Sequence, residues 1–253
     1  MKMNLQEIWI QIRSVLVFAW FYGWLAVVRE PFWLVSSLLS PLSIVIIMTI
    51  FGGVHYMSFG LLGGLAMAVS SSGGFTIIGD ATYLRLELKY QSMLINTRLN
   101  PISYTLGLAL SELTYALPGL AVFIILMQLI MHIPASLYLL VIPILALEWV
   151  AASMLGFTLS TLMNDVRYGW SLSGILGFLL GTLPPVFYPA YLLPTPYIAL
   201  VSPVSIVSTV LQYIILRVNY PQMLIRLSVI LLLAETVVFT ILALRKSRWR
   251  SVY

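Results

Sequence analysis

The apolar run Met223-Leu-Ile-Arg-Leu-Ser-Val-Ile-Leu-Leu-Leu-Ala-Glu-Thr-Val-Val-Phe-Thr-Ile-Leu-Ala-Leu244, followed at once by Arg245 and Lys246, decides the class of fold. A helix needs about 20 mostly apolar residues to cross a bilayer, because it satisfies its own backbone hydrogen bonds within the lipid. Runs of similar character recur along the chain. The sequence therefore predicts an all-α integral membrane protein.

The composition supports this class. Hydrophobic residues make up 61% of the chain and charged residues 8%, with a mean hydropathy of +1.02, whereas soluble domains average about 45–50% apolar and about 25% charged residues. No cysteine is present, which excludes disulfides and thiolate metal sites, and two histidines are too few for a metal centre. The net charge of +5 indicates membrane topology and anionic lipids as partners, not nucleic acid.

Six transmembrane spans are predicted, and little sequence remains for a soluble domain. They cover residues 32–51, 59–79, 102–131, 136–163, 168–183 and 223–244. Residues 1–31 are predicted to be an N-terminal segment with an amphipathic elbow helix in the membrane interface, because Leu5, Ile8 and Trp9 share one face while Glu7 and Gln11 lie on the other. An extra span in this segment is the alternative, and it would move the N-terminus to the other side.

Lysine and arginine are distributed unequally between the two faces of this arrangement. Of the 13 basic residues, 11 fall on the face that carries both termini, and only Arg217 and Arg226 fall on the other. The 11 are Lys2, Arg13, Arg29, Arg85, Lys89, Arg98, Arg167, Arg245, Lys246, Arg248 and Arg250. By the positive-inside rule, we expect a multi-pass protein of the cell membrane with both termini and the tail 245–253 in the cytoplasm.

Two connections differ from ordinary short loops. Residues 80–100 are predicted to be cytoplasmic and to contain an amphipathic helix over 85–96, and Asn100-Pro101 is a typical N-cap and first-turn pair for the next span. Residues 184–203 lie on the outer side and are rich in proline, yet they are too apolar for an exposed loop. A re-entrant helical hairpin before the last span, with its backbone buried in protein, suits that composition.

These two segments resemble the ABC-2 family of ABC transporter permeases. The stretch Glu87-Leu-Lys-Tyr-Gln-Ser-Met-Leu-Ile-Asn-Thr-Arg-Leu-Asn-Pro101 is similar to the family's E-x-G-T-[LI]-E-x-L-x-x-[TS]-P segment, although Lys89-Tyr90-Gln91 replaces its Gly-Thr. Leu183-Pro-Pro-Val-Phe-Tyr-Pro-Ala-Tyr-Leu-Leu-Pro194 resembles the late P-[VIL]-x-[FY]-P-x-x-x-[LM]-P motif, with Ser202 before Pro203 where Asn is common. The resemblance covers nearly the whole chain, as a single ABC-2 transmembrane domain over 1–253.

The resemblance implies a permease subunit that exports an amphiphile such as a drug, lipid or lipid-linked glycan. It implies a second permease copy or a paralogue as partner, and an ATPase subunit that holds ATP and Mg²⁺. This chain has no G-x-x-x-x-G-K-[ST] phosphate loop, so we expect neither a cofactor nor catalysis of its own. The resemblance implies ATPase-coupling residues Arg85, Leu86, Lys89, Tyr90, Met93 and Leu94. The outer gate is expected at Pro185, Phe187, Tyr188, Pro189, Tyr191 and Leu192, whose apolar side chains suit a constriction that closes by dewetting.

Polar residues inside the predicted spans have two interpretations. Glu112, Glu148, Glu235 and Arg226 are costly in lipid, so they are expected to face the bundle interior, either as a substrate or proton path or as interhelical hydrogen bonds. We favour hydrogen bonds, and expect Glu112 to be partly wet. Gly169, Ser173, Gly177 and Gly181 recur every four residues, which allows close helix packing either within one subunit or at a dimer seam.

Two other functions compete with ATP-driven export. The alternative is an ion-coupled secondary transporter that uses Glu148 and Glu235, for which inverted repeats would be favourable, and none is detected. A membrane-embedded enzyme lacks a plausible set of histidine, cysteine or clustered carboxylate residues.

Overall fold

The computed structural model describes residues 5–29, 31–95, 97 and 99–246. Within these residues all regular structure is helical, and no β-strand is present. The helices are α1 Leu5–Phe18, a π-helix Ala19–Trp24, α2 Leu25–Arg29, α3 Pro31–Met67, a π-helix Ala68–Phe75, α4 Ile77–Leu86, α5 Tyr90–Ile95, α6 Pro101–Met131, α7 Ala135–Ser160, α8 Val166–Thr182, α9 Pro203–Ile215 and α10 Gln222–Lys246. Two 3₁₀ turns, Ala190–Leu192 and Pro196–Val201, precede α9.

Within the described residues, five stretches are long and apolar enough to cross a membrane: Gln6–Arg29, Leu38–Leu86, Pro101–Met131, Ala135–Ser160 and Gln222–Arg245. The chain is therefore a multi-pass membrane protein by length and composition. The predicted boundaries were close for most spans, but Asp80 lies inside α4 and not in a loop, and α7 ends at Ser160, three residues before the predicted end of that span at Met163.

The longest stretch folds back on itself at Gly53. This glycine has φ +74° and ψ −179°, which breaks the helix, and it has the conformational freedom that such a turn requires. Gly60 then approaches Val45, since a Cβ at Gly60 would lie 3.3 Å from the Val45 Cα. The first two predicted spans are thus the two arms of a helical hairpin.

The second arm continues through the π-helix and α4, and we call residues 54–86 the central helix. Residues 59–70 of it are buried throughout, as expected for a helix that is apolar on all sides. It packs on α6 through Gly64 and Phe123, and on α7 through Gly74 and Ala152. Its other faces contact the Pro-rich segment at Val186 and α8 at Trp170. Small residues make these approaches possible.

The N-terminal helix stands beside α6 and does not cross its axis. Gln11 accepts from the Asn100 backbone N–H at 3.1 Å, Gly107 packs on Phe18, and Gly23 packs on Thr114. The two helices therefore run in the same direction over the first half of α6. This corrects the prediction of an elbow that lies flat in the membrane interface.

The two ends of the bundle differ in composition. At one end, which we call the basic end, residues 85–100 meet the turn 160–165, and Arg85, Lys89, Arg167 and Arg245 lie there. At the other end, the Pro-rich end, residues 183–202 meet the Gly53 turn and residues 216–221. Lys2, Arg98, Arg248 and Arg250 from the predicted basic set lie outside the described residues.

Candidate functional site

The segment between the second and third predicted spans forms two short helical pieces instead of one. α4 ends at Leu86, and α5 begins at Tyr90 after Lys89, whose φ of +50° reverses the chain. The prediction of a single helix over 85–96 was therefore wrong. A lysine in the left-handed region is uncommon, and no pattern of apolar residues indicates such a break.

Arg85 does not lie on an exposed face with Lys89. Its guanidinium donates to the carbonyl oxygens of Ser160 at 2.8 Å and Met163 at 2.5 Å, where α7 ends. A helix C-terminus leaves its last carbonyls without intrahelical partners, and a cation there also interacts favourably with the helix dipole. Arg85 therefore joins the central helix to the end of α7.

The predicted apolar stripe of the coupling segment is divided between the protein interior and the surface. Tyr90 packs edge-on against the rings of Phe18 and Tyr22, and Leu94 packs against the same apolar cluster. Leu86, Leu88 and Met93 remain exposed, with Met93 at 62%. Between residues 85 and 94, the exposed side chains are therefore Leu86, Glu87, Leu88, Lys89 and Met93.

The Pro-rich segment is not a helical hairpin. From Leu183 to Ser202 it consists of bends and the two 3₁₀ turns, and the buried helix there is α9, which lies further along the chain. Ser202 caps α9 by accepting from the Ser205 N–H at 3.1 Å, and Pro203 occupies the first turn. The Ser202-Pro203 pair is the same signal as Asn100-Pro101 and predicts a helix start.

The expected gate residues separate into two groups. Pro185, Phe187 and Pro189 are buried and Tyr188 is half-buried, whereas Tyr191 and Leu192 are exposed. Phe187 lies in the main core, where the central helix comes so close that a Cβ at Gly63 would lie 2.5 Å from the Val186 carbonyl oxygen. Phe187 is therefore packed in the core of this structure, and its role in an outer constriction stays a prediction.

Tyr220 fixes the end of this segment. Its hydroxyl donates to the Gln212 side chain at 2.5 Å and accepts from the Ala190 backbone N–H at 3.0 Å. Gln212 in turn donates to Ser208, and Ser208 donates to the Val186 carbonyl. Burial raises the pKa of Tyr220 to about 12. This network, absent from our sequence predictions, anchors residues 186–190 on α9.

A cleft of about 350 Å³ opens beside the exposed part of the segment. It lies between the Gly53 hairpin and the loop before α10, and its lining is formed by His55, Ser58, Phe59, Tyr191, Leu216, Val218 and Asn219. The cleft combines aromatic rings with amide, hydroxyl and imidazole groups. Tyr191 is the one residue of the expected gate that contributes to it.

The stripe of small residues on α8 packs within the chain. Ser173 donates to the Phe75 carbonyl at 3.0 Å, Gly169 lies against Thr82, Gly177 against Ser71, and Gly181 against Met67. α8 therefore runs antiparallel to the central helix and contacts it from Gly169 to Gly181. Of the two interpretations, these contacts correspond to packing within one subunit.

Glu112 lies beside a second carboxyl group, that of Asp80. It accepts a hydrogen bond from the Thr76 hydroxyl at 2.6 Å. Only 2% of Glu112 is exposed, so the expectation that it is partly wet was wrong. Thr76 and Asp80 were not among our candidates, because the segment around them looked like the end of a span.

Glu148, Glu235 and Arg226 have different surroundings. One carboxyl oxygen of Glu148 accepts from the Ser70 hydroxyl at 2.7 Å, and Glu148 is fully buried. Glu235 is half-buried on α10, and Arg226 is exposed nearer the Pro-rich end of the same helix. Thr236, next to Glu235, donates to the carbonyl of Leu147, next to Glu148, so these two acids lie at similar depth on facing helices, whereas Arg226 lies away from both.

Comparison with family models, with curated proteins and with solved structures gives no match. The fold defines the class to which the chain belongs, a multi-pass α-helical membrane protein.

Proposed function

We propose that this chain is the membrane-spanning permease subunit of an ABC-2 type ATP-binding cassette exporter, which moves an amphiphilic substrate out of the cell. The observation that carries the proposal is the order of elements. A helical hairpin is followed by a short helix at the basic end, then by three further apolar helices, by a non-helical Pro-rich segment with the buried helix α9, and by a last long helix.

The helix register supports six crossings, one of which the N-terminal helix shares with the first hairpin arm. That helix accompanies α6 only from Asn100 to Thr114, whereas Leu38 of the next helix already lies beside Gly119. The N-terminal helix and the first hairpin arm thus divide the length of α6 between them and together account for one crossing. α8 adds a crossing, although it is shorter than the five long stretches. Both termini are then on the basic, cytoplasmic side.

A separate ATPase subunit supplies the energy in this proposal, since the chain has no phosphate-binding loop. Its docking surface is the exposed patch of Leu86, Leu88, Lys89 and Met93. This patch adjoins Arg85 and hence the contact between the central helix and α7. A displacement of the patch therefore has a direct route into the membrane.

Affinity purification from native membranes tests the proposal. We expect a tagged chain to co-purify with a protein that contains a phosphate loop and to stimulate its ATP hydrolysis. Leu88→Ser combined with Met93→Ser should release that protein, whereas Lys89→Gln at the same surface should retain it. Failure of the wild-type chain to retain any ATPase would refute the exporter proposal.

The outer closing element in this proposal is the exposed part of the Pro-rich segment, with Tyr191 and Leu192. The chain has no native cysteine, so a thiol reagent labels only a cysteine that is introduced, and the labelling measures the accessibility of that position. Tyr191→Cys in intact cells should react with a membrane-impermeant maleimide. The rate of this labelling reaction should change when the transporter turns over substrate. Phe187→Cys should react only after denaturation, and equal labelling of both positions would contradict the assigned burial.

The secondary transporter remains the second candidate, because Glu148 and Glu235 each have a buried carboxyl oxygen without a hydrogen-bond partner in the described part of the chain. Substrate accumulation by the purified chain in proteoliposomes, driven by a pH gradient and without an ATPase, would favour it.

A further inference from the structure

A group of buried polar atoms on α7, α9 and α10 lacks hydrogen-bond partners within the part of the chain that the structure describes. Its members, which we call the polar seam, are Glu148 Oε2, Thr209 Oγ1, Ser228 Oγ and Glu235 Oε2. Glu148, Thr209 and Ser228 are each 0% exposed. α7, α9 and α10, the helices that carry these atoms, all pack against one another.

Such atoms are unusual in a folded protein. Burying a hydroxyl or carboxyl group without a hydrogen bond costs on the order of 1–3 kcal/mol, and burying an isolated carboxylate costs far more. A helix interface that needed only stability would hold apolar residues at these positions. Intramembrane ionisable residues with this kind of surrounding commonly mark paths for protons or ions.

The register of α7 and α10 gives the seam a direction. Thr236 donates to the Leu147 carbonyl at 3.3 Å, so Glu235 and Glu148 lie at the same depth on facing helices. Leu224, Ser228, Leu232 and Ala243 are all buried and lie with Glu235 on one face of α10. Ser228 precedes Glu235 by two turns, or about 10 Å. The seam therefore runs from the Pro-rich end toward Glu148.

Among the described side chains, no cation faces Glu148 from the helices around it. The π-helix Ala68–Phe75 holds no titratable residue and supplies Ser70, and α9 holds only the exposed Tyr213. On α6, Glu112 accepts from Thr76, and on α4, Arg85 donates to carbonyl oxygens at the end of α7. On α10, Glu235 is another acid, while Arg226 and Arg245 are exposed toward the helix ends.

We propose that Glu148 binds a proton that exchanges with water along the polar seam from the Pro-rich end. The proton resides on Oε2, while the carbonyl oxygen Oε1 accepts from Ser70. It is taken from water and returned to water, so no further reactant is needed. This site goes beyond the proposed function, because it requires neither an ATPase nor a transported substrate.

Infrared difference spectroscopy on the purified wild-type chain in lipid tests the proposal without any partner. We expect a protonated-carboxyl C=O band that is missing in Glu148→Gln and that shifts when H₂O is replaced by D₂O. Ser70→Ala should move this band to higher wavenumber, because the carbonyl loses its hydrogen-bond donor. Thr209→Val and Ser228→Ala should slow the D₂O shift at least several-fold.

Glu112→Gln is the matched control. It removes a buried carboxyl of the same chemistry, and it should leave both the Glu148 band and its exchange rate unchanged. A band that persists in Glu148→Gln, or that does not move in Ser70→Ala, would overturn the assignment. A band that shows no D₂O shift in the wild type would overturn the water-accessible seam. Should Glu148→Gln fail to fold, Ser70→Ala alone decides the assignment.

Discussion

The contact of Arg85 with the end of α7 leads to a prediction about stability. Arg85→Gln removes two hydrogen bonds from a charged donor, to Ser160 at 2.8 Å and to Met163 at 2.5 Å. Bonds of this kind contribute roughly 1.5–3 kcal/mol each when buried, and the helix dipole adds about 0.3–1 kcal/mol. Because Arg85 is only half-buried, solvent screening reduces the sum. We expect a net loss of about 2–3 kcal/mol.

This loss is measurable by tryptophan fluorescence during thermal unfolding in mild detergent. For a chain of this size, 1 kcal/mol corresponds to roughly 2–4 °C, so Tm should fall by about 5–10 °C. Lys89→Gln removes the same charge from an exposed position and should change stability by less than about 0.5 kcal/mol. Arg85→Lys keeps the charge but not the forked donor, and it should be intermediate. Equal Tm values for Arg85→Gln and Lys89→Gln would refute the assigned role.

Two further predictions concern the Pro-rich end. Gly63→Ala places a Cβ 2.5 Å from the Val186 carbonyl oxygen and should destabilise the protein by about 1–3 kcal/mol. Gly174→Ala, with no atom within 4 Å of the new Cβ, should be neutral or stabilise the protein by about 0.5–1 kcal/mol. Thermal unfolding compares the two variants, and a Gly63→Ala variant as stable as the wild type would contradict the close approach. Tyr220 has a folded pKa of about 12 against an ordinary value of 10, so the stability that it contributes is complete below pH 10 and declines as pH rises toward 12. Tyr220→Phe should therefore lower Tm at pH 8 and show a smaller alkaline decline than the wild type, and parallel declines would exclude Tyr220 as the group that titrates.

The local signals in the sequence predicted the long helices well. The Asn100-Pro101 cap is confirmed, with the Asn100 side chain accepting from the Ser103 N–H at 2.6 Å. Apolar run length placed most of the spans within a few residues, because a bilayer sets the minimum length of a crossing helix. α9 was missed although Ser202-Pro203 carries the same cap signal, since a helix this short has no span-length run.

The tertiary contacts of the candidate residues could not be predicted from local sequence patterns. Nothing in the spacing of residues 85–96 indicates that Lys89 reverses the chain or that Arg85 reaches α7, because both depend on where a distant turn lies. The pairing of Glu112 with Thr76 and Asp80, and of Glu148 with Ser70, likewise depends on the register between helices. Register in lipid is set by small residues whose partners are not visible along one helix.

The central helix runs from the Pro-rich end to the basic end. It is α-helical near both ends and π-helical in its middle. Near the Pro-rich end Gly63 is pressed against Val186, and at the basic end Arg85 is bonded to the end of α7. Each of these packed ends favours discrete arrangements over gradual deformation. The π-helix Ala68–Phe75 lies between the two ends, and π-turns are places where a helix can change its register. Ser70 in that turn holds Glu148. In our proposal, a proton on Glu148 therefore acts on the π-helical segment that lies between the two packed ends of the central helix.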